Sequence, residues 1–492
     1  MTDAKLDLTL VIDIGKSNAK LLLLDATGAV VESHSRANAS VTSPLGYAAL
    51  DVHGLQAWMQ STLHASAHAP RCGHVITSTH GAAFVALGEE GLAWEPLDYE
   101  FEAVALTGAA DTAFRAASDD FRQTLSPDLP AGLNAARQLH WIQNAQPEAW
   151  RRTRTLVPYP QYWAWLLSGV ACSEVSSLGC HTHLWSPVTQ SFSSLALSKG
   201  WAALFAPLRS AWEVLGTLGP GRGAAWGLPA ACVVHVGVHD SNACLARYFD
   251  GESFADQSPE ALTIVSSGTW TVLMAPGASA DALVAAQDML GNVDVTGRMT
   301  PTARFMGGRE FAAIANGADP QAANLETLHQ LVASRTFALP SFAHQGGPFA
   351  DRVGTLERYG QRLDDEHAAR LSATERATLA ATYCAQVTAW LVHYLWAGSP
   401  AARSKVIVEG PLAHNPIYMQ VLQIVLPDSV CCASTDTLEG TARGAWHLSN
   451  WGREQSRLAL APVKCEAVDG LRLYHDAWLA KVNAPVTTSV NA

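Results

Sequence analysis

The hydrophobic pattern begins with a short, repeated unit. Leu8 to Asp13 is mainly apolar, with β-branched Val11 and Ile12, and it ends at a polar turn, Gly15-Lys16-Ser17-Asn18. Ala19 to Leu24 is apolar again, Asp25-Ala26-Thr27-Gly28 is polar, and Ala29 to Ser33 resumes the run. This pattern predicts strand, turn, strand, turn, strand, and connections this short join antiparallel neighbours. The unit recurs past the midpoint as Leu262 to Val265, the turn Ser266-Ser267-Gly268-Thr269, and Trp270 to Met274. Two copies of one pattern point to two related halves.

Helical periodicity marks Leu55 to His68, Asn134 to Asn144, Thr374 to Trp396 and Pro416 to Leu426, while Ala231 to Val238 and Lys405 to Val408 read as further strands. Interleaved strands and helices give an α/β class. The polar stretch Asp250 to Glu260 is the natural boundary. The expected organisation is a domain over 1–249, a second over 250–450, and a tail over 451–492 that packs back on the body.

Composition narrows the class. The chain has 492 residues, enough for two to four domains at roughly 100–200 residues each. A net charge of −12 argues against a nucleic-acid partner, which would need clustered positive charge. With 48% hydrophobic and 15% charged residues the chain can bury large cores. Its apolar runs are far shorter than the ~20 residues that span a bilayer, and the N-terminus has no signal-peptide pattern, so no membrane partner is expected. Nine cysteines without a CxxC pair suit a reducing cytoplasm. Sixteen tryptophans are read mainly as core residues. A homodimer is compatible with all of this.

Four segments carry candidate chemistry. In Asp13-Ile14-Gly15-Lys16-Ser17-Asn18-Ala19-Lys20 a carboxylate ends a buried strand, and glycine, hydroxyl and amide groups follow beside free backbone N–H groups. Such a set can hold phosphate oxygens, with Asp13 reaching a magnesium ion through water and Lys16 or Lys20 adding charge. The same residues also make ordinary hairpin turns, and nothing matches a P-loop. The turn Ser266 to Trp270 has the same kit, and two such turns facing each other would grip one nucleotide. In Val236-Gly237-Val238-His239-Asp240-Ser241-Asn242-Ala243 a strand delivers Asp240 to a helix start. There it serves as an N-cap, as a base for a substrate hydroxyl, or as both. The fourth is Glu409-Gly410-Pro411-Leu412-Ala413-His414-Asn415 with Glu439-Gly440-Thr441-Ala442-Arg443-Gly444-Ala445. Here Gly410 leaves room for a flat base, Asn415 offers an amide, and the second run suits close helix packing. Gly219 to Ala224 fits GxGxxA, but it carries a proline and has neither a clear strand before it nor a clear helix after it, so a dinucleotide site is rejected. Cys180, His181 and His183 read as polar core or cleft residues rather than a metal fragment.

Taken in chain order, the Asp13-Ile14-Gly15 turn, Gly237-Val238-His239-Asp240, Ser266-Ser267-Gly268-Thr269-Trp270, the segment from Gly410 to Asn415 and the Ala/Gly-rich run from Gly440 to Ala445 are five motifs that resemble the FGGY carbohydrate kinases, of the superfamily that includes actin, hexokinase and the heat-shock ATPases. The likeness runs from about residue 8 to 450. It implies two ribonuclease-H-like, actin-like ATPase domains with ATP and sugar in an interdomain cleft, and ATP-dependent phosphorylation of a sugar hydroxyl. It makes Asp240 the catalytic base and puts Asp13 near magnesium. It gives Gly15, Lys16, Ser17, Asn18, Lys20, Gly268 and Thr269 to the phosphates, and Gly410 and Asn415 to the adenosine. Lys16 stands where many relatives have a small hydroxyl residue, and Glu409-Gly410-Pro411 replaces a commoner run of glycines. The sugar falls to the N-terminal half, with His80, Gln161 and His239 beside Asp240. Ser266 to Trp270 and Phe305-Met306-Gly307-Gly308-Arg309-Glu310 look most like kinases of L-fuculose and L-rhamnulose, acting on the terminal hydroxyl. The alternatives are a pentulose kinase for xylulose or ribulose and a non-catalytic sensor on the same fold.

Overall fold

The computed structural model describes residues 5–104, 108–249, 261–343, 346–397, 405–434, 440–453 and 460–484. The expected boundary, Asp250 to Glu260, lies outside the described residues, as does Glu439. Two compact units are present. One comprises Met1–Gln257, Gly291–Met299 and Leu438–Arg457, and the other Ser258–Leu290, Thr300–Thr437 and Leu458–Ala492. The units are therefore not consecutive blocks of sequence.

The first unit is built on a seven-stranded mixed sheet. Its order is Val214–Thr217, Val233–His235, Cys72–Thr79, Leu8–Ile14, Asn18–Leu24 and Val30–Ala37, with Val238–His239 also on Cys72–Thr79. Leu8–Ile14 is buried throughout, as its near-continuous apolar run requires of a central strand. It pairs antiparallel with Asn18–Leu24 and parallel with Cys72–Thr79. Val30–Ala37 alternates between half-buried and exposed positions, the pattern of a strand with one face in water.

The second unit repeats this plan. Leu262–Ser267 pairs antiparallel with Thr271–Met274 and parallel with Lys405–Glu409, inside a second seven-stranded sheet. The helix Ala373–Leu395 is buried along most of its length and starts with a capping box between Ser372 and Glu375. The tail contributes the helix Leu471–Val482, whose fully buried Trp478 donates its indole N–H to Ala338 O at 2.9 Å.

Three local expectations are corrected. The run Ala231 to Val238 is not one strand but two, Val233–His235 and Val238–His239. The break falls at Gly237, whose φ of +88° suits glycine and whose Cβ position lies 2.3 Å from Thr77 Oγ1. Ser266 and Ser267 lie inside a strand, so the second turn is only Gly268 to Trp270. Gly219–Trp226 is a helix preceded by a strand. That strand runs antiparallel to its neighbour, so it still lacks the parallel βαβ setting of a dinucleotide fingerprint.

Candidate active site

Each unit carries its own set of candidate residues. In the first, the Gly15 turn is closed by Gly15 N–H donating to Asn18 O at 2.9 Å. Asn38 clamps it from outside, donating its side-chain amide to Gly15 O at 2.8 Å and its backbone N–H to Ser17 O at 2.8 Å. Ser17 and Asn18 are exposed at the tip. Asp13 is buried at the strand end, directly across the hairpin from Lys20. Parallel pairing with Cys72–Thr79 brings the next candidate alongside, because His80 N–H donates to Ile14 O at 2.9 Å.

Asp240 opens the helix Asp240–Ala246 and keeps 30% of its side chain exposed. His239, not Asp240, is the N-cap residue. Asp240 instead sits in the first turn, where a carboxylate is favoured by the helix dipole. Its Oδ1 accepts from Ser241 N–H at 2.6 Å and lies 3.2 Å from His239 Nε2. Two braces hold this end of the strand. Buried Gln161 donates to Val236 O at 3.2 Å and Gly237 O at 3.1 Å. The helix Gly440–Ser449 packs so tightly that a Cβ on Gly444 would stand 1.7 Å from Ala243 O. The small residues of that helix thus let it lie against the helix carrying Asp240.

The surroundings set the charges. Burial lowers the His80 imidazole against the pull of Asp240, leaving it neutral. Burial also lifts the Tyr99 phenol, with Glu100, Asp240 and Asp98 adding to the effect. His80 meets the Tyr99 ring edge-on at 5.4 Å. Behind Asp240, burial would raise the Cys180 thiol, yet His181 and His239 bring it down to about 5. Burial would likewise lower His239, yet Cys180, Asp240 and Glu174 take it up to about 9. His239 is thus a buried imidazole beside the Asp240 carboxylate, with Asn242 Nδ2 3.2 Å from its Nδ1. His181 and His183 bond to backbone carbonyls at 2.8 and 3.3 Å. Among the described residues no group of three His, Cys, Asp or Glu side chains is placed to hold a metal.

The second unit presents Gly268 and Thr269 exposed at their turn. Gly410, with φ +75°, packs under it, and its Cβ position lies 2.0 Å from Ser267 O. Ser267 Oγ bonds Glu409 O and accepts from Leu412 N–H at 3.0 Å, tying the turn to the Gly410 loop. Asn415 is engaged at both ends of its amide. Its Oδ1 accepts from Tyr418 N–H at 3.0 Å as a helix cap, and its Nδ2 donates to Pro320 O at 3.2 Å.

The sequence missed two features of these sites. The helix Gly307–Ala315 begins against the second turn, with Gly308 so close to Gly268 O that a Cβ would stand 2.4 Å away. The paired glycines Gly307 and Gly308 were the signal, since so close a backbone approach leaves no room for a side chain. The other is Asp98, which bonds Lys16 Nζ. Lys16 and Asp98 line a cavity of about 250 Å³ together with Gly15, Asp51, His80 and Tyr159.

The chain as a whole resembles solved structures. A carbohydrate kinase from Novosphingobium aromaticivorans is 31% identical, with a TM-score of 0.83 over 97% of this chain and 99% of that one. Residues 259–457 match the family description "Carbohydrate kinase FGGY, C-terminal domain". The chain belongs to the FGGY carbohydrate kinases. Members of this family are ATP-dependent sugar kinases, so ATP and a small sugar are the substrates. Two more distant structures share the fold. A xylulose kinase from Rhodospirillum rubrum has a TM-score of 0.73 at 16% identity, over 96% of this chain and 97% of that one. A gluconate kinase from Lactobacillus acidophilus has 0.70 at 12% identity, over 96% of each chain. No curated protein matches the chain by sequence. Among the described residues no helix is long and apolar enough to cross a membrane.

Proposed function

We propose that this FGGY kinase transfers the γ-phosphoryl group of ATP to the terminal hydroxyl of a ketose, with Asp240 as general base. The observation that carries the reading is Asp240 itself, a partly exposed carboxylate at a helix start, 3.2 Å from His239 Nε2, just after the segment that Gln161 braces and in the same unit as His80. In the proposed step an Asp240 oxygen takes the proton of the sugar hydroxyl. The freed oxygen bonds to the γ-phosphorus, the bond from that phosphorus to the β–γ bridging oxygen breaks, and ADP leaves. His80 orients the sugar through a ring nitrogen. Such a transfer asks the protein mainly to position groups and offset charge. In the first unit the exposed Ser17 and Asn18, on the turn that Gly15 closes, offer donors for phosphates together with Lys20; in the second unit the exposed Gly268 and Thr269 do the same, and Gly410 leaves room for the adenosine.

Asp13 fits a magnesium ion held through water, being a hard oxygen donor at the end of a strand beside that turn. When bound, the ion offsets charge on the phosphates.

L-Fuculose and L-rhamnulose are the first candidates, supported by the likeness of Ser266 to Trp270 and of Phe305 to Glu310 to kinases of those sugars. Xylulose and ribulose follow. Nine unpaired cysteines, eight of them buried, support a reducing cytoplasm. The test is ADP release with magnesium and ATP across a panel of ketoses, aldoses, polyols and glycerol. A strong response to one ketose supports the reading. Tight ATP binding without any response would favour a sensor.

A further inference from the structure

We propose that Lys16 and Asp98 form the wall that selects the sugar, accepting a neutral polyhydroxy substrate and turning away sugar acids, and that Lys16 does not serve the nucleotide phosphates. This rests on the reading of the chain as a sugar kinase and names its substrate class.

Lys16 follows the first glycine of the phosphate turn, yet its ammonium is engaged elsewhere. It pairs with Asp98, lies 3.4 Å from Glu100 and stands 4.9 Å from the centroid of the Tyr99 ring. Asp98 is 2% exposed and is held in place by further donors: Ser40 Oγ bonds it, and Glu100 N–H donates to it at 2.9 Å. The pair is thus a fixed donor–acceptor couple, the arrangement that reads a vicinal pair of hydroxyls. It shares its cavity with His80, and the volume of about 250 Å³ is smaller than the ~300–1,000 Å³ of pockets for drug-sized ligands.

The charges of the wall decide the class. Lys16 is the one cation among the lining residues, against the carboxylates Asp51, Asp98 and Glu100, while burial keeps His80 neutral. Asp51 is itself paired with Arg36. A carboxylate on the substrate would meet an ammonium already matched and a surplus of negative charge, which is unfavourable at short range. A triphosphate would meet the same field more strongly. A neutral sugar would not.

The test combines kinetics with direct binding of the non-hydrolysable ATP analogue AMP-PNP. Lys16→Met is expected to raise KM for the best ketose by about tenfold or more, while the Kd for AMP-PNP stays within about twofold. Lys16→Arg keeps the charge, should recover part of the loss, and guards against a folding defect. Asp98→Asn frees the ammonium and should raise turnover of D-gluconate relative to the ketose. The inference is overturned if Lys16→Met weakens AMP-PNP about tenfold with ketose KM unchanged, or if the wild-type enzyme prefers D-gluconate. If no sugar promotes ADP release, the kinase reading itself fails, and the AMP-PNP titration alone decides whether Lys16 serves the nucleotide.

Discussion

Single residues here do more than one task, and burial decides which. His235 is held neutral, because burial lowers its imidazole to about 4, with His74 only 3.0 Å away. In the unfolded chain the same group titrates near ~6.5. The unfolded state therefore takes up the proton first as pH falls. Stability from this residue is complete above pH ~6.5 and is lost as pH drops toward 4, to a limit of about 3 kcal/mol. Thermal unfolding at pH 7.5 and pH 5 should show a large drop for the wild type and a smaller one for His235→Gln. Equal drops would exclude His235 as a source. Gln161 shows the limit of reading residues singly. Its amide and aromatic neighbours suggested a sugar contact, but the fully buried side chain grips the carbonyls of Val236 and Gly237. Nothing local in the sequence encodes a partner 75 residues away.

Among the elements, the two strand–turn–strand units were legible because each is local and patterned. The long helix Ala373–Leu395 and the helix Pro416–Val425 also fall within a residue or two of their expected spans. The break at Gly237 was not legible, because it depends on the approach of Thr77 from another strand. The same kind of contact governs the helix Gly440–Ser449. A side chain at Gly444 has no room against Ala243 O, so Gly444→Val must push the helix that carries Asp240. It should cost about 1–3 kcal/mol of stability and lower kcat, measured by thermal melting alongside turnover. A variant that melts lower but keeps full kcat would uncouple that packing from catalysis. Gly410 tests the second unit. Gly410→Ala combines a positive φ with a 2.0 Å clash, a strain of about 1–3 kcal/mol. It should weaken ADP binding by about tenfold in a titration, and an unchanged affinity would remove Gly410 from the nucleotide site.

At the scale of the molecule, the family and the α/β class were readable because five motifs occur in one order. The division into units was not. Residues 291–299 and 438–457 join the first unit across long stretches of sequence, and no composition shift marks that. The charge of the cavity that Lys16 and Asp98 line was hidden for the same reason, since the two are 82 residues apart in sequence. The central claim is that Asp240 is the base of an ATP-dependent ketose kinase, and the most direct measurement is turnover of Asp240→Asn with the best ketose, beside its affinity for AMP-PNP. The account predicts a fall in kcat of about 10²–10⁴-fold with nucleotide affinity retained. Near-normal turnover in that variant would contradict it.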